Sequence, residues 1–128
     1  MKKLIATATL IVVSAGTGFT QDVDRGASVF KRCQACHAIG PGAQNKVGPE
    51  LNGLPGRVSG AVPDYTYSDA NKHSGIVWNE VNFKEYIKDP NAKIPGTKKF
   101  FGGIKDEQQA ADLWAYLKQF DANGNIAN

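Results

Sequence analysis

Apolar residues recur at helical spacing in three parts of this chain, separated by stretches that keep no period. Gly26 and Phe30 stand four apart behind Asp22, which can cap a helix. That spacing predicts a helix over residues 23–35. Phe83, Tyr86 and Ile87 form a second stripe within 80–88, with Asn79 as its N-cap. Pro90 ends it, because the residue before a proline disfavours α geometry. Ala110, Leu113, Leu117 and Phe120 recur at three or four and predict a last helix from Lys105 or Asp106 to Phe120. Asp106 and Glu107 suit its positive N-terminus, and Asn123-Gly124 stops it. A short helix is expected over 68–73. There is no alternating strand pattern and no repeat, so the fold class expected is all-α.

Between the helices the breakers dominate. Residues 39–62 carry Gly40-Pro41-Gly42, Gly48-Pro49, Gly53, Pro55-Gly56 and Gly60, which no regular element survives. Residues 91–103 read as loop as well. Loops this long are uncommon in a compact domain unless they have a task, such as wrapping a prosthetic group.

The first residues have a different pattern. Met1-Lys2-Lys3 is a short positive start, Leu4 to Val13 is apolar apart from two threonines, and small residues follow from Ser14. This is the layout of a secretory leader, too short for a membrane span of about 20 apolar residues. We expect a leader over 1–20, cleaved after Thr20 (Ala15 and Gly18 being alternative cuts), and a single domain over 21–128. An uncleaved anchor is the alternative. Without Lys2 and Lys3 the 15 Lys and Arg become 13, against 12 Asp and Glu. The body is near neutral, and nucleic-acid binding has no support.

The chemistry is concentrated in Cys33-Gln34-Ala35-Cys36-His37, a C-x-x-C-H sequence. This is the attachment signal of a c-type haem: two thiols bond the two vinyl groups and the adjacent imidazole binds the iron. A structural zinc site wants four Cys or His ligands, but the chain has 2 Cys and 2 His, with His73 far away. A dithiol oxidoreductase would place its C-x-x-C after a strand in a βαβ unit, and none precedes Cys33. Export fits covalent haem attachment, which in bacteria takes place outside the cytoplasm.

Further motifs accompany the pentapeptide: Gly48-Pro49-Glu50-Leu51, Gly56-Arg57, residues 65–72 (YTYSDANK), Trp78, Tyr86, Ile94-Pro95-Gly96-Thr97-Lys98 and residues 111–117 (ADLWAYL). Together with Gly26 and Phe30 they make the chain, over most of 22–120, resemble a class I cytochrome c. This is the small soluble monohaem type of mitochondria and bacterial periplasms. The resemblance implies the cytochrome c fold, with three main helices and long haem-wrapping loops. It implies that the Pro49 carbonyl accepts a hydrogen bond from His37, and that Arg57, Tyr67 and Trp78 lie near the haem propionates. It also implies that Asn71, Tyr86 and Thr97 cluster on the sixth-ligand side, and that Gly26, Phe30, Leu113 and Tyr116 join the first and last helices.

At one position the chain departs from that family. The family loop reads G-T-K-M-x-F, and its methionine binds the iron opposite the histidine. Here the loop reads Gly96-Thr97-Lys98-Lys99-Phe100-Phe101, and the only methionine is Met1. Lys99 is the first candidate for the sixth ligand. Lys98 or another strong-field donor, or an open site with Lys99 in solvent, are the alternatives. A lysine ligand must first lose a proton, at a cost of about 4.6 kcal/mol at pH 7, which burial beside a cationic metal reduces.

The expected function is therefore electron transfer, not enzymatic turnover. One electron would be carried on one covalent haem c in the periplasm, by a monomer, between membrane redox complexes. The resemblance implies as partners the acidic faces of a quinol-oxidising complex, a terminal oxidase or a photosynthetic reaction centre. Lys31, Arg32, Lys46, Lys98 and Lys105 are expected to ring the haem edge and steer such partners. Two other readings stand beside this one. An open sixth site would bind small ligands or support weak peroxidase chemistry; alternatively, an ordinary carrier has had Met exchanged for Lys at 99.

Overall fold

A computed structural model describes residues 9–13 and 20–127. Most of the leader expected over 1–20 lies outside the described residues. Among the described residues five helices follow one another: α1 (Val23–Phe30), α2 (Asp69–Lys72), α3 (Glu80–Lys88), α4 (Pro90–Lys93) and α5 (Glu107–Leu117). Among the described residues the only β pairings are the isolated bridges Val58–Val77 and Phe120–Ile126. The architecture is all-α, with three helices of eight residues or more and long loops.

Each of the three longer helices starts at a side chain that accepts a hydrogen bond from an otherwise unpaired N–H of the first turn. Asp22 accepts from Arg25 N, Asn79 from Asn82 N and Asp106 from Gln109 N. The helix ends differ from expectation. α1 stops at Phe30 and not at Ala35, because the chain tightens into three-residue turns, with Arg32 N donating to Val29 O and Cys33 N to Phe30 O. α5 stops at Leu117, and Phe120 is buried in the turn that follows. The stretch 91–103 is not all loop, since Asp89 caps α4 and Pro90 occupies its first turn, where a missing N–H is harmless.

α1 and α5 cross at Gly26. A Cβ there would stand 2.0 Å from the Asp112 carbonyl oxygen and 2.8 Å from Tyr116 Cβ, so only glycine allows the approach. Phe30 packs on Tyr116 with ring centroids 5.4 Å apart, and Phe83 of α3 packs on Trp114 of α5 at 5.3 Å. Leu113 and Leu117 are almost fully buried between these helices. Asp112 is buried too. It accepts hydrogen bonds from the Asp22 N–H at 2.9 Å, Arg25 Nε at 3.0 Å and Gln108 Nε2 at 2.9 Å, which ties the start of α1 to the middle of α5. The apolar core so formed is the floor of a cleft, because Phe30, Phe83, Ile87, Leu113 and Leu117 all reach its lining.

Candidate haem site

The turn after α1 presents Cys33, Cys36 and His37 to this cleft. His37 N donates to Cys33 O at 2.9 Å and Cys36 N to the same oxygen at 3.1 Å, so one short turn holds both thiols and the imidazole. Both cysteines are free and partly buried. Burial pushes the Cys33 thiol up, although the nearby Lys99 and Arg32 charges oppose this.

His37 is fixed from two sides. Its Nδ1–H donates to the Pro49 carbonyl at 2.7 Å, which leaves the lone pair on Nε2 facing the cleft. Gly48 lies against the ring: a Cβ at that position would be 2.3 Å from His37 Cε1. The Gly-Pro pair therefore both admits and anchors the imidazole. Burial, and then the Lys99 charge, pull its pKa down to about 4, so the ring is neutral and available as a donor at ordinary pH.

On the opposite wall Lys99 Nζ lies 3.3 Å from His37 Nε2. Burial lowers the Lys99 pKa, against the pull of the two cysteines. The adjacent Lys98 turns outward, where its ammonium donates to Thr66 O and sits 4.9 Å above the Tyr65 ring. Behind Lys99, Thr97 Oγ1 donates to Asn71 Oδ1 at 2.7 Å and meets the Tyr86 hydroxyl at 3.4 Å. Ser68 Oγ donates to the same Asn71 oxygen at 2.8 Å.

At the polar corner of the cleft, Arg57 Nη1 donates to Glu50 O and Asn52 O, each at 3.0 Å, with the Glu50 carboxylate at 3.6 Å. Burial lowers the Arg57 pKa, and Glu50 works against that. Tyr67 accepts from Val62 N at 3.1 Å, which leaves its own hydroxyl proton to donate. Trp78 packs against Tyr86 with ring centroids 5.0 Å apart and the rings tilted by 59°.

All eleven residues singled out in the sequence line this one cleft, of about 230 Å³: Cys33, Cys36, His37, Pro49, Arg57, Tyr67, Asn71, Trp78, Tyr86, Thr97 and Lys99. The sequence reading passed over Ser59, and it did not single out Tyr65 as a site residue. Tyr65 donates to Val47 O at 2.7 Å at the mouth. Of the basic residues expected around the edge, Arg32 and Lys98 line the cleft, and Lys46 reaches Gln34 O at 2.8 Å. Lys31 is exposed outside the lining, and Lys105 instead donates to Lys88 O at 2.6 Å, beside α3.

The residues present fit a covalently held haem. Two thiols stand at one wall, and two neutral-favouring nitrogen donors face each other across an apolar slot. His37 and Lys99 would hold the iron of such a group, and Cys33 and Cys36 would tether it. Among the described residues no cluster of three or more His, Cys, Asp or Glu offers a conventional protein-only metal site.

Comparison with known proteins agrees with this geometry. Residues 23–121 match the cytochrome c family. The chain is 56% identical over 125 residues to cytochrome c2 of Blastochloris viridis, covering 98% of each protein. It is 65% identical over 101 residues to cytochrome c-550 of Bradyrhizobium diazoefficiens, covering 79% of this chain and 74% of that one. The solved structure of cytochrome c2 from Rhodospirillum centenum superposes with a TM-score of 0.75 at 38% identity, covering 78% of this chain and 98% of that one.

Proposed function

The chain belongs to the cytochrome c family, and from that membership we propose that it is an exported one-electron carrier whose haem iron is held between His37 and Lys99. The cofactor of this family is one covalently attached haem c. When bound, it supplies a single iron that alternates between the ferric and ferrous states. The chain's own residues do the rest. Cys33 and Cys36 tether the macrocycle, and the Pro49 carbonyl orients His37 and strengthens it as a donor. Phe30, Leu113 and Leu117 exclude water from the slot. Arg57, Tyr67 and Trp78 balance buried carboxylate charge at the polar corner.

The observation that carries this reading is the 3.3 Å approach of Lys99 Nζ to His37 Nε2 across the cleft. An amine is a harder donor than a thioether and favours ferric iron, so the potential sits below that of a histidine–methionine protein. The inward turn of the half-buried Lys99 side chain toward His37 supports ligation over an open sixth site. The leader pattern over 1–20 supports a periplasmic location, with the haem domain over 21–128. The partners are acidic surfaces of membrane redox complexes. Arg32 and Lys98 line the cleft, as do the exposed Val47 and Phe100, and with Lys46 they would steer such surfaces.

The test is electron exchange between the purified reduced holoprotein and membranes stripped of soluble carriers. Reoxidation that slows as salt rises supports the reading; absence of exchange at every ionic strength overturns it.

A further inference from the structure

The chain holds two Asn-Gly pairs, Asn52-Gly53 and Asn123-Gly124, and the fold treats them differently. Asparagine is thermolabile, and a following glycine, having no Cβ, lets its own nitrogen approach the side-chain carbonyl. Asn52 is 7% exposed and its amide is held at both ends. Its Oδ1 accepts from Gly40 N at 2.8 Å, and its Nδ2 donates to Gly40 O at 2.9 Å. Asn123 is exposed, and among the described residues only its backbone N–H is bonded, to Asp121 Oδ1 at 2.9 Å.

The two glycine nitrogens do not make the difference. Gly53 N donates to Phe120 O at 3.1 Å and Gly124 N to Asp121 O at 2.9 Å, so one hydrogen bond must open at either place. The side chains and their surroundings do. Residues 121–123 and 125–127 are all exposed, and such a loop opens locally at little cost. Asn52 must in addition break both bonds to Gly40 and leave a buried position.

We propose that Asn123 is a site of spontaneous covalent modification, converting to aspartate and isoaspartate in the folded protein while Asn52 is protected. The Gly124 nitrogen bonds to Asn123 Cγ, and the Cγ–Nδ2 bond breaks. Nδ2 leaves as ammonia, carrying the proton that Gly124 N gives up. Water then opens the cyclic imide. Attack at Cγ yields aspartate; attack at the Asn123 main-chain carbonyl yields isoaspartate, whose backbone runs through Cγ. Nothing is oxidised or reduced. Either product adds a negative charge beside Asp121, whose carboxylate accepts from the N–H groups of residues 123 and 125. Isoaspartate also lengthens the backbone just before Gly124, which has no room to shift. Gly124 holds φ +81°, and a Cβ there would stand 2.1 Å from Gly40 O and 2.6 Å from Pro41 N. The lengthened loop therefore loses its seat on the segment that follows His37.

The test incubates the purified holoprotein at mildly alkaline pH, folded and in denaturant, and follows conversion by peptide mass mapping. Trypsin releases Asn52 within 47–57 and Asn123 within 119–128, and fragment spectra separate Asn123 from Asn125. In the folded protein Asn123 converts at least about tenfold faster than Asn52, the size of the two hydrogen bonds that Asn52 must break. In denaturant the two rates converge. N123Q, whose longer side chain cannot close the same ring, removes the conversion at 123. The isoaspartate form, isolated by anion exchange, melts below the unconverted protein, whereas N123D, with the charge but no added backbone atom, does not. An Asn123 that persists in the folded protein while the denatured chain converts overturns the proposal, as does conversion of Asn52 at an equal rate. An isoaspartate form that melts with the unconverted protein overturns the link to Gly40.

Discussion

Lys99 Nζ and His37 Nε2 face each other at 3.3 Å across the cleft that the two cysteines border. If these two nitrogens are the axial pair, exchanging Lys99 for methionine replaces a hard donor by a soft one. K99M should raise the midpoint potential by a few tenths of a volt, within the range of about 0.8 V that axial ligands span. K99A should leave the site open, and carbon monoxide should then bind the ferrous protein without the delay of displacing a ligand. Redox titration and stopped-flow mixing measure both.

Gly48 is the second lever on the iron. A methyl group there would stand 2.3 Å from His37 Cε1, so the ring must move or the loop must yield. G48A should destabilise the holoprotein by about 1–3 kcal/mol, as overpacking commonly does. It should also disturb the Nδ1–H bond to Pro49, which the proton resonances of the axial histidine report.

The crossing of α1 and α5 has no room at Gly26, where the obstructing atom is the Asp112 backbone carbonyl at 2.0 Å. Backbone at the centre of a packed helix cannot step aside as a side chain can. G26A should therefore cost about 3 kcal/mol or more and lower the melting temperature by more than 10 °C. Calorimetry of the holoprotein checks this.

Asp112 makes stability depend on acidity. Burial pushes its carboxyl up, but hydrogen bonds from Arg25, Gln108 and the Asp22 N–H together hold it below the usual carboxylate value. A depressed folded-state pKa gives stabilisation that is present above the unfolded value near 3.9 and is lost as pH falls through the folded value. D112N should lose about 1–3 kcal/mol at neutral pH and show a shallower acid limb below about pH 4. Denaturant midpoints measured from pH 3 to 7 separate the two proteins.

What the sequence revealed was mostly local or motif-borne. The caps Asp22, Asn79 and Asp106 could be read because a capping side chain bonds an N–H only three residues on. The ends of α1 and α5 could not, since apolar spacing continues through the turns that tighten after Phe30 and Leu117. Asp89-Pro90 was legible as the stop of α3, yet the same pair starts α4, because proline is as suited to a first turn as it is hostile to a last one. The tie made by Asp112 left no local trace in the sequence. Its partners Asp22 and Arg25 lie 90 and 87 residues away, beyond any periodicity. The cleft residues were reached through the family motifs. Which of two adjacent lysines turns inward was beyond sequence pattern: Lys98 is drawn out by Thr66 and Tyr65, and Lys99 is left facing His37.

The most direct measurement is the electron paramagnetic resonance spectrum of the ferric holoprotein at neutral pH, before and after addition of cyanide. Ligation by His37 and Lys99 requires a wholly low-spin signal of two nitrogen donors that cyanide converts only slowly. A high-spin signal that cyanide converts at once would contradict it, and would leave Lys99 outside the coordination of the iron.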